Sequence, residues 1–123
     1  METRKKIVLV DDDTVELNVL RIRFEVEGYS TITASDGEEG LKKIKQEKPD
    51  LVILDLMLPK INGYELCRML KFDDPYKKIP VIILSGLERQ QEREKAVQAG
   101  ADAYFVKPPD MGLLLFKIKE FLG

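Results

Sequence analysis

The sequence has no histidine, and Cys67 is its single cysteine in 123 residues. The lack of histidine excludes Ser–His and Cys–His catalysis. It also excludes a phosphohistidine formed on this chain. Chemistry here must come from carboxylates, hydroxyls, lysines or a metal. One cysteine cannot form an internal disulfide, so a cytoplasmic setting is expected. Cys67 itself reads as a small buried apolar residue on the third helix. Apolar runs are short, such as Leu51–Leu54 and Val81–Leu84, against the roughly 20 residues a membrane span needs. Met1–Lys6 is charged and lacks the apolar region of a signal peptide. Neither charge sign dominates: 20 Lys and Arg face 22 Asp and Glu, for a net charge of −2. Bulk electrostatics therefore give no reason to expect a nucleic acid or a membrane as direct partner.

What is present suits one soluble domain over residues 1–123: 44% hydrophobic and 34% charged residues, with no linker, low-complexity segment or repeat. Apolar runs alternate with amphipathic stretches. Ile7–Val10 reads as a strand. Val15 to Val26 follows with Leu17, Leu20 and Phe24 at helical spacing, and Gly28 stops it. Ser30–Ala34 reads as a weak strand. Ser35-x-x-Glu38 has the form of a capping box before a helix burying Leu41 and Ile44. Leu51–Leu54 and Val81–Leu84 fit buried parallel strands, with a helix from Tyr64 to Leu70 between them. A charged helix, Glu88–Ala99, ends at Gly100. Ala103–Val106 is the last strand, and Met111–Leu122 the last helix. Five strand–helix units with right-handed crossovers give an α/β fold, a doubly wound five-stranded parallel sheet with five helices in three αβα layers.

The informative polar residues share one kind of place. Asp11 and Asp12 follow the first strand, Asp55 the third, Ser85 the fourth and Lys107 the fifth. In a parallel sheet these positions lie on the carboxyl edge, where open α/β sheets bind ligands. Carboxylates gathered there need compensation, which a hard divalent cation such as Mg²⁺ supplies through oxygen ligands. A lysine and a hydroxyl opposite suit a phosphoryl group, and a carboxylate can serve as the nucleophile. A lone strand-end aspartate, lysine or serine is usually a cap or surface group. Four such placements together make coincidence a poor explanation.

Five segments carry a resemblance: Ile7–Asp13, Leu51–Pro59, Asn62-Gly63, Val81–Gly86 and Tyr104–Pro108. In that order, across the chain, they resemble the receiver domains of response regulators in two-component signalling. The resemblance implies a flavodoxin-like sheet of strand order 2-1-3-4-5. It implies that Asp55 is the phosphoacceptor, served by a sensor histidine kinase or a histidine phosphotransfer protein. Asp12 would hold Mg²⁺ (or Mn²⁺) with Asp11, Asp55 and the Met57 backbone carbonyl. Ser85 and Lys107 would bind the phosphoryl group, and Tyr104 would be the aromatic switch. The Lys107–Pro108 bond would be cis. The family is a signalling switch, not an enzyme in the usual sense, and acts on a downstream effector or by homodimerising.

Three departures from the pattern stand out. Asp13 adds a third acid to the first loop and reads as the cap of the first helix. Gly86 stands where alanine is commoner, and Pro109 follows Pro108. Met57 and Leu87 flank the expected phosphate site, and neither can orient an attacking water, so a long-lived phosphoryl group is expected. Leu113 and Phe116 lie off the apolar stripe of the last helix (Met111, Leu114, Leu115, Ile118, Leu122) and, with Tyr104, suggest a partner or dimer face. Two other readings compete. Asp11-x-Asp13 resembles the nucleophile motif of haloacid-dehalogenase-type phosphatases, but Asp55 and Pro59 would then be unexplained. A flavodoxin would need a hydroxyl-rich phosphate loop where Asp11–Asp13 stand.

Overall fold

Short runs of β-branched and leucine residues pair into a sheet wherever both of their faces can be covered. The computed structural model describes residues 3–87 and 90–123. Its elements are β1 (Lys6–Val10), α1 (Thr14–Val26), β2 (Ser30–Ala34), α2 (Gly37–Glu47), β3 (Leu51–Asp55), α3 (Gly63–Lys71), β4 (Val81–Ser85), α4 (Gln90–Gln98), β5 (Ala103–Val106) and α5 (Met111–Leu122). The sheet order is β2-β1-β3-β4-β5. Every pairing is parallel.

Alternation along the strands divides the core in two. Val8, Val10, Val52, Leu54, Val81 and Ile83 face Ile44, Leu66, Leu70 and Ala96 of α2, α3 and α4. Ile7, Leu9, Ile53, Ile82 and Leu84 face Leu17, Leu20 and Phe24 of α1 and Leu114, Leu115 and Ile118 of α5. These are the period-2 and period-3.6 patterns of a three-layer fold. Among the described residues, no helix is long and apolar enough to cross a membrane.

Three local details differ from the sequence reading. Asp55 and Ser85 do not follow their strands but end them, because Asp55 still pairs with Leu84 and Ser85 with Val106. The α2 cap is Asp36, which accepts from the Glu39 N–H at 2.8 Å, while Glu39 accepts from the Ser35 N–H at 3.1 Å. The cap therefore sits one residue beyond Ser35, and Glu39 reaches back to the residue before the cap, so the expected Ser35-x-x-Glu38 box does not form. Leu41 is only half-buried, because Gly37, Gly40 and Ile44 form the inner face of α2. The expected start of α4, Glu88, lies outside the described residues.

Register positions the functional edge. Val10 pairs with both Ala34 and Leu54. The residues after β1 and the ends of β3, β4 and β5 therefore come out in one row, at the point where the chain order reverses.

Candidate functional site at the carboxyl edge

Asp11 and Asp55 are buried, at 4% and 8% exposure, whereas Asp12 is open to solvent. One oxygen from each of Asp11, Asp12 and Asp55 lies within 4.8 Å of the others. Asp13 does not join them. Its Oδ1 accepts from the N–H groups of Val15 and Glu16, at 3.0 and 3.2 Å, and so caps α1. Its own N–H donates to Asp11 Oδ1 at 2.9 Å.

Lys107 Nζ reaches into this cluster. It donates to Asp11 Oδ2 at 2.7 Å and to Glu16 Oε2 at 2.5 Å, and stands 3.4 Å from Asp55 Oδ1. Burial opposes the ammonium, but bonds to Asp11 and Glu16, together with the charge of Asp55, outweigh it and hold Lys107 above the usual lysine range. Burial also dominates at Asp55. Opposed by Lys107 and reinforced by Asp11, it pushes the carboxyl up from 3.8 to about 6. Four carboxylates around one ammonium leave an excess of negative charge held on hard oxygens. That donor set fits a divalent cation of the Mg²⁺ type.

The other expected residues lie on the adjoining strands and loops. Ser85 is fully buried, and its Oγ accepts from the Leu87 N–H at 3.1 Å. The Tyr104 hydroxyl donates to the Leu87 carbonyl at 2.7 Å. Met57 is 67% exposed, Gly86 is exposed and Leu87 half-buried. The Lys107–Pro108 peptide is cis. Gly63 opens α3 directly against β3. A Cβ there would come within 2.5 Å of the Asp55 carbonyl oxygen and 2.8 Å of Leu56 Cα, so no larger residue fits without moving Asp55.

Sequence reasoning missed three residues. Glu16, in the first turn of α1, is a direct partner of Lys107. Tyr64 and Glu92 join α3 to α4. The Tyr64 hydroxyl hydrogen-bonds the Glu92 carboxylate, and lies 3.0 Å from the Glu92 carbonyl oxygen. Burial, with the Glu92 carboxylate, pushes the Tyr64 hydroxyl above its usual range, so it stays a donor. Arg93 lies 5.0 Å from the ring centroid of Tyr104, so α4 is also tied to the tyrosine that holds Leu87.

Comparison with known proteins agrees with this arrangement. The family described as response regulator receiver domain matches residues 7–119. The polar-differentiation response regulator DivK of Brucella anthropi is 33% identical over 119 residues, which cover 97% of each chain. The alkaline phosphatase synthesis transcriptional regulatory protein PhoP of Bacillus subtilis is 42% identical over 85% of this chain. This chain spans about half or less of several longer curated relatives, 42% of PhoP among them. A putative response regulator from Chloroflexus aurantiacus superposes with a TM-score of 0.93 at 30% identity, covering 98% of both chains. The chemotaxis response regulator CheY4 of Vibrio cholerae superposes with a TM-score of 0.89 at 26% identity, covering 97% of this chain and 99% of its own. With fold, edge and family in agreement, this chain belongs to the response regulator receiver domains, the signalling switches of two-component systems.

Proposed function

We propose that Asp55 accepts a phosphoryl group from a phosphohistidine on a sensor histidine kinase or a histidine phosphotransfer protein. The observation that carries this is the placement of Asp55. It is a near-buried carboxylate at a strand end, beside Asp11 and Asp12 and 3.4 Å from the ammonium of Lys107. An Asp55 oxygen bonds to phosphorus as the donor N–P bond breaks, and the electron pair stays on the imidazole nitrogen. Asp11, Asp12, Asp55 and the Met57 carbonyl would hold Mg²⁺, or Mn²⁺ on the same oxygens. The cation would neutralise charge on the phosphoryl oxygens.

The chain's own residues do the rest. Lys107 donates to a phosphoryl oxygen. Ser85 gives up the Leu87 N–H and donates its hydroxyl to another oxygen, and the Leu87 segment shifts with it. Tyr104 then turns into the space released. The change is read on the face of β5, α4 and α5, by an effector or a second copy. On α5, Leu113 and Phe116 are exposed (61% and 64%) and so open to such a partner. Met57 and Leu87 offer no group to orient water, which lengthens the life of the phosphoryl group. Leu87→Asp should shorten it. A site of this kind serves a cytoplasmic phosphorelay.

The phosphatase reading would make Asp11 the nucleophile. Asp11 is a poor candidate, since one oxygen accepts from Asp13 and the other from Lys107. Intact-mass analysis and peptide mapping after incubation with acetyl phosphate separate the two. A Mg²⁺-dependent adduct on Asp55, absent from Asp55→Asn, is the expected result. An adduct on Asp11, or none on the folded protein with Mg²⁺, overturns the proposal.

A further inference from the structure

Glu16 has no role in the phosphoryl-transfer scheme, yet it makes one of the shortest contacts at the site. An ammonium has three protons to donate. Lys107 gives hydrogen bonds to Asp11 and Glu16, while Asp55 stands farther off at 3.4 Å. The two nearest partners of Lys107 thus hold it back from the residue it is to serve.

What relieves each partner differs. Asp11 belongs to the acidic trio that suits a cation. With a cation held by the trio, Asp11 would share its charge between the metal and the ammonium and hold the ammonium less tightly. Glu16 is outside that trio, and its side chain is 41% exposed. Its charge still competes for Lys107 once the trio is filled. Glu16 is also spared a local task. At three residues past the cap, a glutamate commonly accepts the N–H of the capping residue. Here Asp11 accepts the Asp13 N–H instead, at 2.9 Å.

We infer that Glu16 is a positioning residue that restrains Lys107 and thereby limits how fast Asp55 gains its phosphoryl group. The inference rests on the phosphoryl-transfer reading above. Glu16 acts through Lys107 and does not touch the reacting atoms. Its competition with the phosphoryl oxygens slows the gain of phosphate. Relief by a docked donor or by substitution speeds it.

Glu16→Gln keeps the length and an acceptor but removes the charge. With acetyl phosphate and saturating Mg²⁺, the variant should form the Asp55 adduct about three- to fivefold faster than the parent, the scale of a half-exposed ion pair. In a Lys107→Ala background the same change should have no effect, since its target is gone. An unchanged or slower rate, or an equal gain without Lys107, overturns the inference. A second readout needs no phosphate. The NMR signals of the Lys107 side chain should shift on Glu16→Gln in Mg²⁺-containing buffer, and their constancy also overturns it. If the parent takes up no phosphate, the transfer reading fails, and the NMR readout decides the restraint by itself.

Discussion

α5 and α4 flank the same edge of the sheet but are held by different physics. α5 buries Leu114, Leu115 and Ile118, with Met111, Phe121 and Leu122 packed at its margin. Within α4, only Glu92 and Ala96 are buried. α4 relies instead on a few directional contacts: Tyr64 to Glu92, Arg93 over Tyr104, and Lys95 6.0 Å from the Tyr64 ring centroid. Apolar burial has no discrete off state. A hydrogen bond or a stacked cation can be exchanged for water at small net cost. The comparison marks α4 as the helix that opens first and α5 as the one that stays.

The largest expected effect lies on the apolar side. Ile118→Ala should lower stability by about 2–5 kcal/mol in urea denaturation, whereas Val97→Ala, on the exposed face of α4, should stay within about 0.5 kcal/mol. Equal losses would erase the distinction between the helices.

The edge between them carries its own destabilising charge. The folded-state pKa of Asp55 is raised from 3.8 to about 6, so between those values the folded form binds more protons than the unfolded form. Stability therefore falls as pH rises through that window and levels off above it. With a chelator present, Asp55→Asn should exceed the parent by about 3 kcal/mol at pH 7.5 and by about 1 kcal/mol at pH 4.5, measured by denaturation of both proteins at each pH. A gain independent of pH would contradict the burial argument.

The smallest effect is the most local. Tyr64→Phe leaves the buried Glu92 carboxylate without its hydroxyl partner and should cost about 1–2 kcal/mol. Hydrogen exchange should rise at the α4 amides while α5 stays protected. Matching loss of protection in α5 would mean that the two helices open as one unit.

Most of the fold was legible because its signals are local. Leu51–Leu54 and Val81–Leu84 are apolar on every residue, as strands covered on both faces must be. Asp13 announces a helix start and caps α1 as read, and Asp110 caps α5 in the same way. The α2 start was misplaced by one residue because Ser35 and Asp36 both qualify as caps, and Glu38 and Glu39 both qualify as partners. The edge residues were legible for a topological reason: in a parallel sheet, a polar residue at the end of an apolar run has one place to go. Glu16 was not legible, because its partner is 91 residues away, and Asp13-x-x-Glu16 spacing suggests a local cap instead. Tyr64 and Glu92, 28 residues apart on different helices, leave no periodic trace either.

The backbone of Leu87 is grasped on both sides of its Cα by side chains of other residues: Ser85 takes its N–H and Tyr104 its carbonyl. A joint made from backbone cannot be deleted by replacing the side chain it belongs to. The Leu87 side chain answers to a different constraint, its packing against the core under α4. On the phosphoryl-transfer scheme proposed above, a substitution at 87 would then alter the flank of the site while leaving both backbone anchors in place, so that timing and transmission would be separable within one short loop.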